Sequence, residues 1–141
     1  MAAILDHVTV VTDDFATSRS VYEPVLAAIG LRPVVEYTDP EAESDDPGEV
    51  AAVGFGPPDG RPSVWLVAGL RPTSGAHLAL AAADRAAVQD AHQAAIESGF
   101  RVVQPPREWE DAQLHYFGTQ FADRAGNLLE VVYGREPALT S

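Results

Sequence analysis

Residues 4–11 alternate in the manner of a strand with one covered face. Leu5, His7, Thr9 and Val11 fall on one side, and Ile4, Asp6, Val8 and Val10 on the other. Asp13, Asp14, Thr17 and Ser18 are helix-start residues. Val21, Val25 and Ile29 follow at helical spacing, with Tyr22 and Leu26 beside them, and Gly30 supplies a stop. Pro24 conflicts with that helix, because an interior proline costs about 3 kcal/mol. The expectation is a kink or a late helical start. Residues 31–36, 50–55 and 62–68 read as three more strands. Pro57-Pro58-Asp59-Gly60 is a hairpin turn between the last two. Ser63, Trp65 and Val67 share one face of the closing strand. The order is βαβββ.

The order then repeats. His77, Ala79 and Ala81 face one way, and Leu78 and Leu80 the other. Asp84 caps a helix with the apolar stripe Val88, Ala91, Ala95 and Ile96, and Gly99 ends it. Residues 100–104 read as a strand, Pro105–Gln113 as a polar loop, 114–122 as a strand and Asp123–Asn127 as a turn. Residues 128–133 read as the last strand, and the tail from Gly134 as frayed. On superposing the halves, His7 falls on His77, Asp14 on Asp84 and Gly30 near Gly99. Trp65 falls on Glu130, each four residues before a glycine, Gly69 and Gly134. Residues 1–141 therefore read as a single α+β domain, with unit one over about 1–70 and unit two over about 75–134.

The composition narrows the setting. A chain of 141 residues buries roughly 70% of its unfolded-chain surface, enough for a core without staples. The absence of cysteine excludes disulfides, thiolate nucleophiles and cysteine-held metals. The start carries no basic leader, and no apolar run approaches the ~18 residues of a membrane span. The expectation is a soluble, cytoplasmic protein. A net charge of −12, concentrated in the stretch 36–49, repels nucleic acid and anionic lipid, so neither is an expected partner. That stretch reads as a mobile, solvated loop.

Two imidazoles at equivalent repeat positions, with a carboxylate in the closing strand, have the composition of a metal site. His7, His77 and Glu130 suit one divalent ion, Fe, Mn, Ni or Zn, with positions left for water and substrate oxygens. Thr9, Ala79 and Ala81 are small neighbours that leave room for a ligand. The competing reading is a pair of hydrogen-bonded strand histidines and a Glu130 satisfied by an arginine. Tyr116 or His115 is a candidate acid/base; alternation lets only one face inward, and Tyr116 is chosen. Trp65 reads as a cavity wall, His92 as structural or solvent-facing, and Arg107 and Trp109 as residues of a solvated loop. No phosphate loop, nucleophile elbow or dinucleotide fingerprint is present.

Four stretches together resemble the vicinal oxygen chelate superfamily of glyoxalases, extradiol dioxygenases, fosfomycin-modifying transferases and bleomycin-binding proteins. They are Leu5-Asp6-His7-Val8-Thr9-Val10, then Ser18-Arg19-Ser20-Val21-Tyr22 with Leu26-Ala27-Ala28-Ile29-Gly30-Leu31, then Gly75-Ala76-His77-Leu78-Ala79-Leu80, and finally 121–130. The last, Phe121-Ala122-Asp123-Arg124-Ala125-Gly126-Asn127-Leu128-Leu129-Glu130, is similar to the family ending F-x-D-P-D-G-N-x-x-E, with Arg124 and Ala125 replacing Pro and Asp. The resemblance implies tandem βαβββ units forming a curved, incompletely closed mixed sheet around a cavity, with the helices outside. It implies metal ligands at His7, His77 and Glu130. The fourth family position, a Glu in bacterial glyoxalase I, falls on Trp65, which cannot bind a metal. Thr9, Trp65 and Ala79 would line the substrate cavity. The implied function is a metal-dependent lyase, isomerase or dioxygenase acting on a small oxygen-bearing substrate, in a homodimer. The alternative is a metal-free protein that binds a small molecule or antibiotic, with Trp65, Tyr116 and Phe117 as its functional residues.

Overall fold

The computed structural model describes residues 2–38, 49–110 and 114–137, without the side chains of 114 and 135–137. Most of the acidic stretch, at 39–48, lies outside the described residues. The first unit contains β1 (Val8–Thr12), α1 (Phe15–Ala28), β2 (Arg32–Thr38), β3 (Val50–Gly56) and β4 (Val64–Ala68). The second contains β5 (His77–Ala81), α2 (Arg85–Ser98), β6 (Arg101–Glu110), β7 (Leu114–Ala122) and β8 (Leu128–Pro137). The strands form two four-stranded mixed sheets, ordered β1-β4-β3-β2 and β5-β8-β7-β6, and neither sheet closes. In each, the first strand lies parallel to the last and the other pairings are antiparallel. No helix of the described residues is long and apolar enough to cross a membrane.

Local chemistry accounts for the helix ends. Asp14 accepts from the Thr17 amide, and Asp84 from the Ala87 amide. At the end of α1, Gly30 has φ +85° and the Leu31 amide reaches back to the Leu26 carbonyl at 2.9 Å. Pro24 does not delay the start: α1 runs through it from Phe15. Packing decides this, since Tyr22, Val25 and Leu26 on either side of it are buried, each such side chain contributing about 1.5–3 kcal/mol.

Several sequence-based expectations shift. The first strand begins at Val8 rather than residue 4, because the parallel partner β4 begins at Val64. His7 is therefore the residue just before the ladder. β2 runs to Thr38, two residues beyond the expected end. Residues 105–110 are strand and not loop. Pro105 and Pro106 are tolerated because β6 is an edge strand, and its register slips between Gln104 and Arg107. β8 continues to Pro137, with Gly134 at φ +75° beside a register shift, where a frayed tail was expected. Ile96 is 50% exposed rather than part of the α2 stripe, since Val88, Ala91 and Ala95 alone fill the covered face.

One core joins both units. Val10, Phe55, Val64 and Leu66 meet Tyr22, Val25 and Leu26 of α1, and Phe121, Leu129 and Val131 meet Val88, Ala91 and Ala95 of α2. Phe100 bridges the units, edge-on to Tyr22 at 5.2 Å and to Phe121 at 4.9 Å. A polar clasp completes the join. The Tyr22 hydroxyl donates to Asp123 at 2.5 Å. Asn127, fully buried, donates to Asp123 and to the Thr73 carbonyl and accepts from the Ala76 amide. The turn motif therefore ties β8 to the segment between the units.

Burial, the hydrogen bond to Asp123 and that carboxylate's charge hold the Tyr22 phenol above its ordinary range. The raised value favours the protonated phenol in the folded state. Its stabilisation is complete below the unfolded value of about 10 and declines as pH rises past it. Tyr22→Phe should lose about 1–3 kcal/mol at neutral pH. Its stability should also decline less steeply than the parent's between about pH 9 and 11. Urea denaturation across that range measures both, and parallel pH profiles would refute the linkage.

Candidate functional site

Alternation gives each sheet one face toward the helices and one away from them. Val8, Val10 and Thr12 of β1 turn toward α1, so Thr9 and Val11 turn away. In the second sheet Leu78, Leu80, Leu129 and Val131 pack into the core. His77, Ala79 and Ala81 of β5, with Glu130 and Val132 of β8, are left on the other face. The register reproduces the repeat: Thr9 lies opposite Trp65, and Ala79 opposite Glu130. Each histidine stands two residues before those positions.

Glu130 is the centre of the second face. It is 2% exposed, although it sits on the side away from the helices. The Tyr116 hydroxyl and the Gln120 amide nitrogen both donate to its Oε2, each at 3.1 Å. Its Oε1 lies 3.5 Å from Nε2 of His77. One oxygen is thus held by two donors, and the other is turned to an imidazole. Tyr116 is buried, and its ring covers Gly118, where an added Cβ would lie 3.2 Å from the Tyr116 ring. Trp109 lies parallel to Tyr116, with ring centroids 6.0 Å apart, and donates from Nε1 to the Gly118 carbonyl. His115, the other candidate, points elsewhere and meets Glu108 and Glu110.

On the first face, Trp65 stacks on Tyr37 at 5.7 Å and lies over Gly54. An added Cβ on Gly54 would come within 3.0 Å of the indole. The Nδ1 of His7 is 2.7 Å from Asp6 Oδ1. The His7 hydrogen bond, then the Arg61 charge, hold the Asp6 carboxyl below its ordinary range. An ionised carboxylate there favours the proton on Nδ1 and leaves Nε2 as the lone pair.

His77, Glu130, Tyr116 and Ala79 are therefore together on one sheet, and His7, Thr9 and Trp65 on the other. Among the described residues, no three His, Asp or Glu side chains gather closely enough to hold one metal ion. Two donors of the second face, His77 Nε2 and Glu130 Oε1, nevertheless stand at a spacing a metal would accept. Two ligands about 2.1 Å from a tetrahedral ion stand about 3.4 Å apart, close to the His77–Glu130 spacing of 3.5 Å. A carboxylate with its second oxygen held, as in Glu130, and a histidine bonded through Nδ1, as in His7 on the first face, are usual supports of metal ligands. Gln120, Tyr37 and Asp6 emerge only from the structure. Asp6, adjacent to His7, carried a sequence signal; the other two depend on cross-strand register. A cavity of about 490 Å³ lies elsewhere, between the start of α1 and the 123–127 turn, lined by Thr12, Ser18, Tyr22 and Asp123.

The model of the Glyoxalase/Bleomycin resistance protein/Dioxygenase superfamily matches residues 4–131. No curated protein matches the chain. Among solved structures, a glyoxalase/bleomycin resistance protein from Albidiferax ferrireducens is similar, with a TM-score of 0.70 at 20% identity, over 91% of this chain and 97% of that one. A glyoxalase/bleomycin resistance protein/dioxygenase family enzyme from Burkholderia phytofirmans matches with a TM-score of 0.59 at 15% identity, over 93% and 98%. A superfamily member from Sphaerobacter thermophilus matches with a TM-score of 0.57 at 20% identity, over 94% and 98%. At these identities the solved structures establish the fold, and the family model extends over most of the sequence. The chain belongs to the Glyoxalase/Bleomycin resistance protein/Dioxygenase superfamily.

Proposed function

We propose that the protein is a metal-dependent enzyme acting on a small oxygen-bearing substrate, in a site completed by a second copy of the chain. His7 of one copy joins His77 and Glu130 of the other around one divalent ion. The observation that carries this reading is Glu130: a buried carboxylate with Oε2 held by two donors and Oε1 turned to His77. Burying a carboxylate on a face away from the core is costly unless a cation compensates it. The open faces support the two-copy arrangement. His77 is 55% exposed, and Tyr37, stacked on Trp65, is 60% exposed. Two-fold symmetry would set the first face of one copy against the second face of the other, twice.

Bound there, the metal would polarise a substrate oxygen as a Lewis acid. The chain's own groups do the rest. Tyr116 and Gln120 fix the carboxylate, and the Tyr116 hydroxyl supplies a proton-carrying group beside it. Trp65 forms a flat wall, while Thr9 and Ala79 leave space. Facing sheets would exclude water. The Trp65–Tyr37 stack also favours a second reading, a metal-free protein that holds a flat ligand.

Metal analysis of untagged protein, purified without chelator, separates the two readings. Stoichiometric metal supports the enzyme; absence of metal with no tight titration supports the binding protein. His7→Ala and Glu130→Gln should each lose metal. Mixed by unfolding and refolding together, they should regain roughly a quarter of the wild-type content, since half the dimers then contain one intact site of two. No recovery would rule out the shared site. Gln120→Leu should weaken metal binding about 10–100-fold, read by chelator competition; an unchanged affinity would remove Gln120 from the support of Glu130.

A further inference from the structure

We propose that Arg107 reads an anionic oxygen group on the ligand, so that the protein selects a small flat carboxylate or similar oxoanion. This rests on the Glu130 face being the ligand site. Arg107 lies opposite Gly118 in the β6–β7 pairing, and Trp109 opposite Tyr116. Both therefore stand on the sheet face that carries Glu130. The guanidinium lies 4.2 Å from the centroid of the Trp109 ring, Trp109 is within 5° of parallel to Tyr116, and Tyr116 holds Glu130. A single column thus runs across the face from a cation to the buried carboxylate.

Arg107 differs from the arginines that are held in ion pairs. Arg19, Arg61 and Arg85 each meet a carboxylate. Arg107 gives only its Nε–H, to the Glu108 carbonyl. Its terminal nitrogens have no hydrogen-bond partner among the described residues. A guanidinium has five N–H donors, and its terminal pair matches the two oxygens of a carboxylate. Stacking on an indole removes water from one side of the cation and fixes its plane, so little freedom remains to be lost on binding.

The spacing limits the ligand. Arg107 and Glu130 are two strands and two residues apart, about 12 Å between backbone positions. The Trp109 and Tyr116 rings lie between them, so a ligand ring would lie over that column rather than within it. The opposing first face, by the two-copy reading, offers the flat Trp65–Tyr37 surface. The ligand's carboxylate then meets Arg107, an oxygen adjacent to it on the ring faces the Glu130–His77 pair, and its ring lies against Trp65.

Salicylate and its neutral analogue salicylamide are matched probes: one ring, adjacent oxygens, one charge of difference. Titration by calorimetry and tryptophan fluorescence should show salicylate binding roughly 10- to 100-fold more tightly. In Arg107→Gln the preference should fall to within about twofold, with salicylamide affinity unchanged. Arg107→Lys should keep part of it, as a point charge without the fork. Near-UV circular dichroism confirms that the variants keep their packing. Equal affinity for the two probes, a preference that survives Arg107→Gln, or no salicylate binding at millimolar concentration would each overturn the proposal. Metal content measured on the same samples keeps the two readings apart. Metal-free protein whose selectivity depends on Arg107 would refute the enzyme and retain the anion site. Metal-replete protein whose selectivity ignores Arg107 would do the reverse.

Discussion

A sheet has two faces, and the core of this chain covers only one face of each. Both helices join a single apolar core, with Phe100 and the Tyr22–Asp123 clasp locking the units together. Everything else follows from the faces left over. They carry the repeated histidines, the exposed aromatic stack and the buried carboxylate, groups that a core formed from leucine and valine would not accommodate. The fold is thereby stable on its helix side and chemically equipped on the other.

The two leftover faces are not equivalent, although one repeat generates both. The first offers an aromatic surface, with Trp65 resting on Gly54. The second offers a carboxylate, with Gln120 and Tyr116 directed at it. Glycine makes both possible at a distance: Gly54 and Gly118 remove the Cβ that would displace Trp65 and Tyr116. In the proposed two-copy site, a surface for a ring and a cradle for oxygens would meet as complementary parts.

Much of this was legible in the residues. Strand alternation put His7 with Thr9 and His77 with Ala79, and required that only one of Tyr116 and His115 face inward. The capping aspartates and the stop glycines fixed both helices. The stretch around Arg107 and Trp109 misled because Pro105 and Pro106 are loop residues by local rule. They became strand because β6 is an edge whose unpaired amides can be absent without loss, and because a register slip absorbs them. Gln120 gave no signal in sequence, since its importance comes only from lying opposite Glu130.

The sequence alone determined the order of elements, their repetition and the face on which each candidate residue stands, because these depend on periodicity and caps within a few residues. Only the tertiary structure decided which faces the helices would cover, which strands became edges and which donors would meet Glu130. Those outcomes depend on contacts between residues far apart in the chain, where pairing register and packing, not local preference, set the energy.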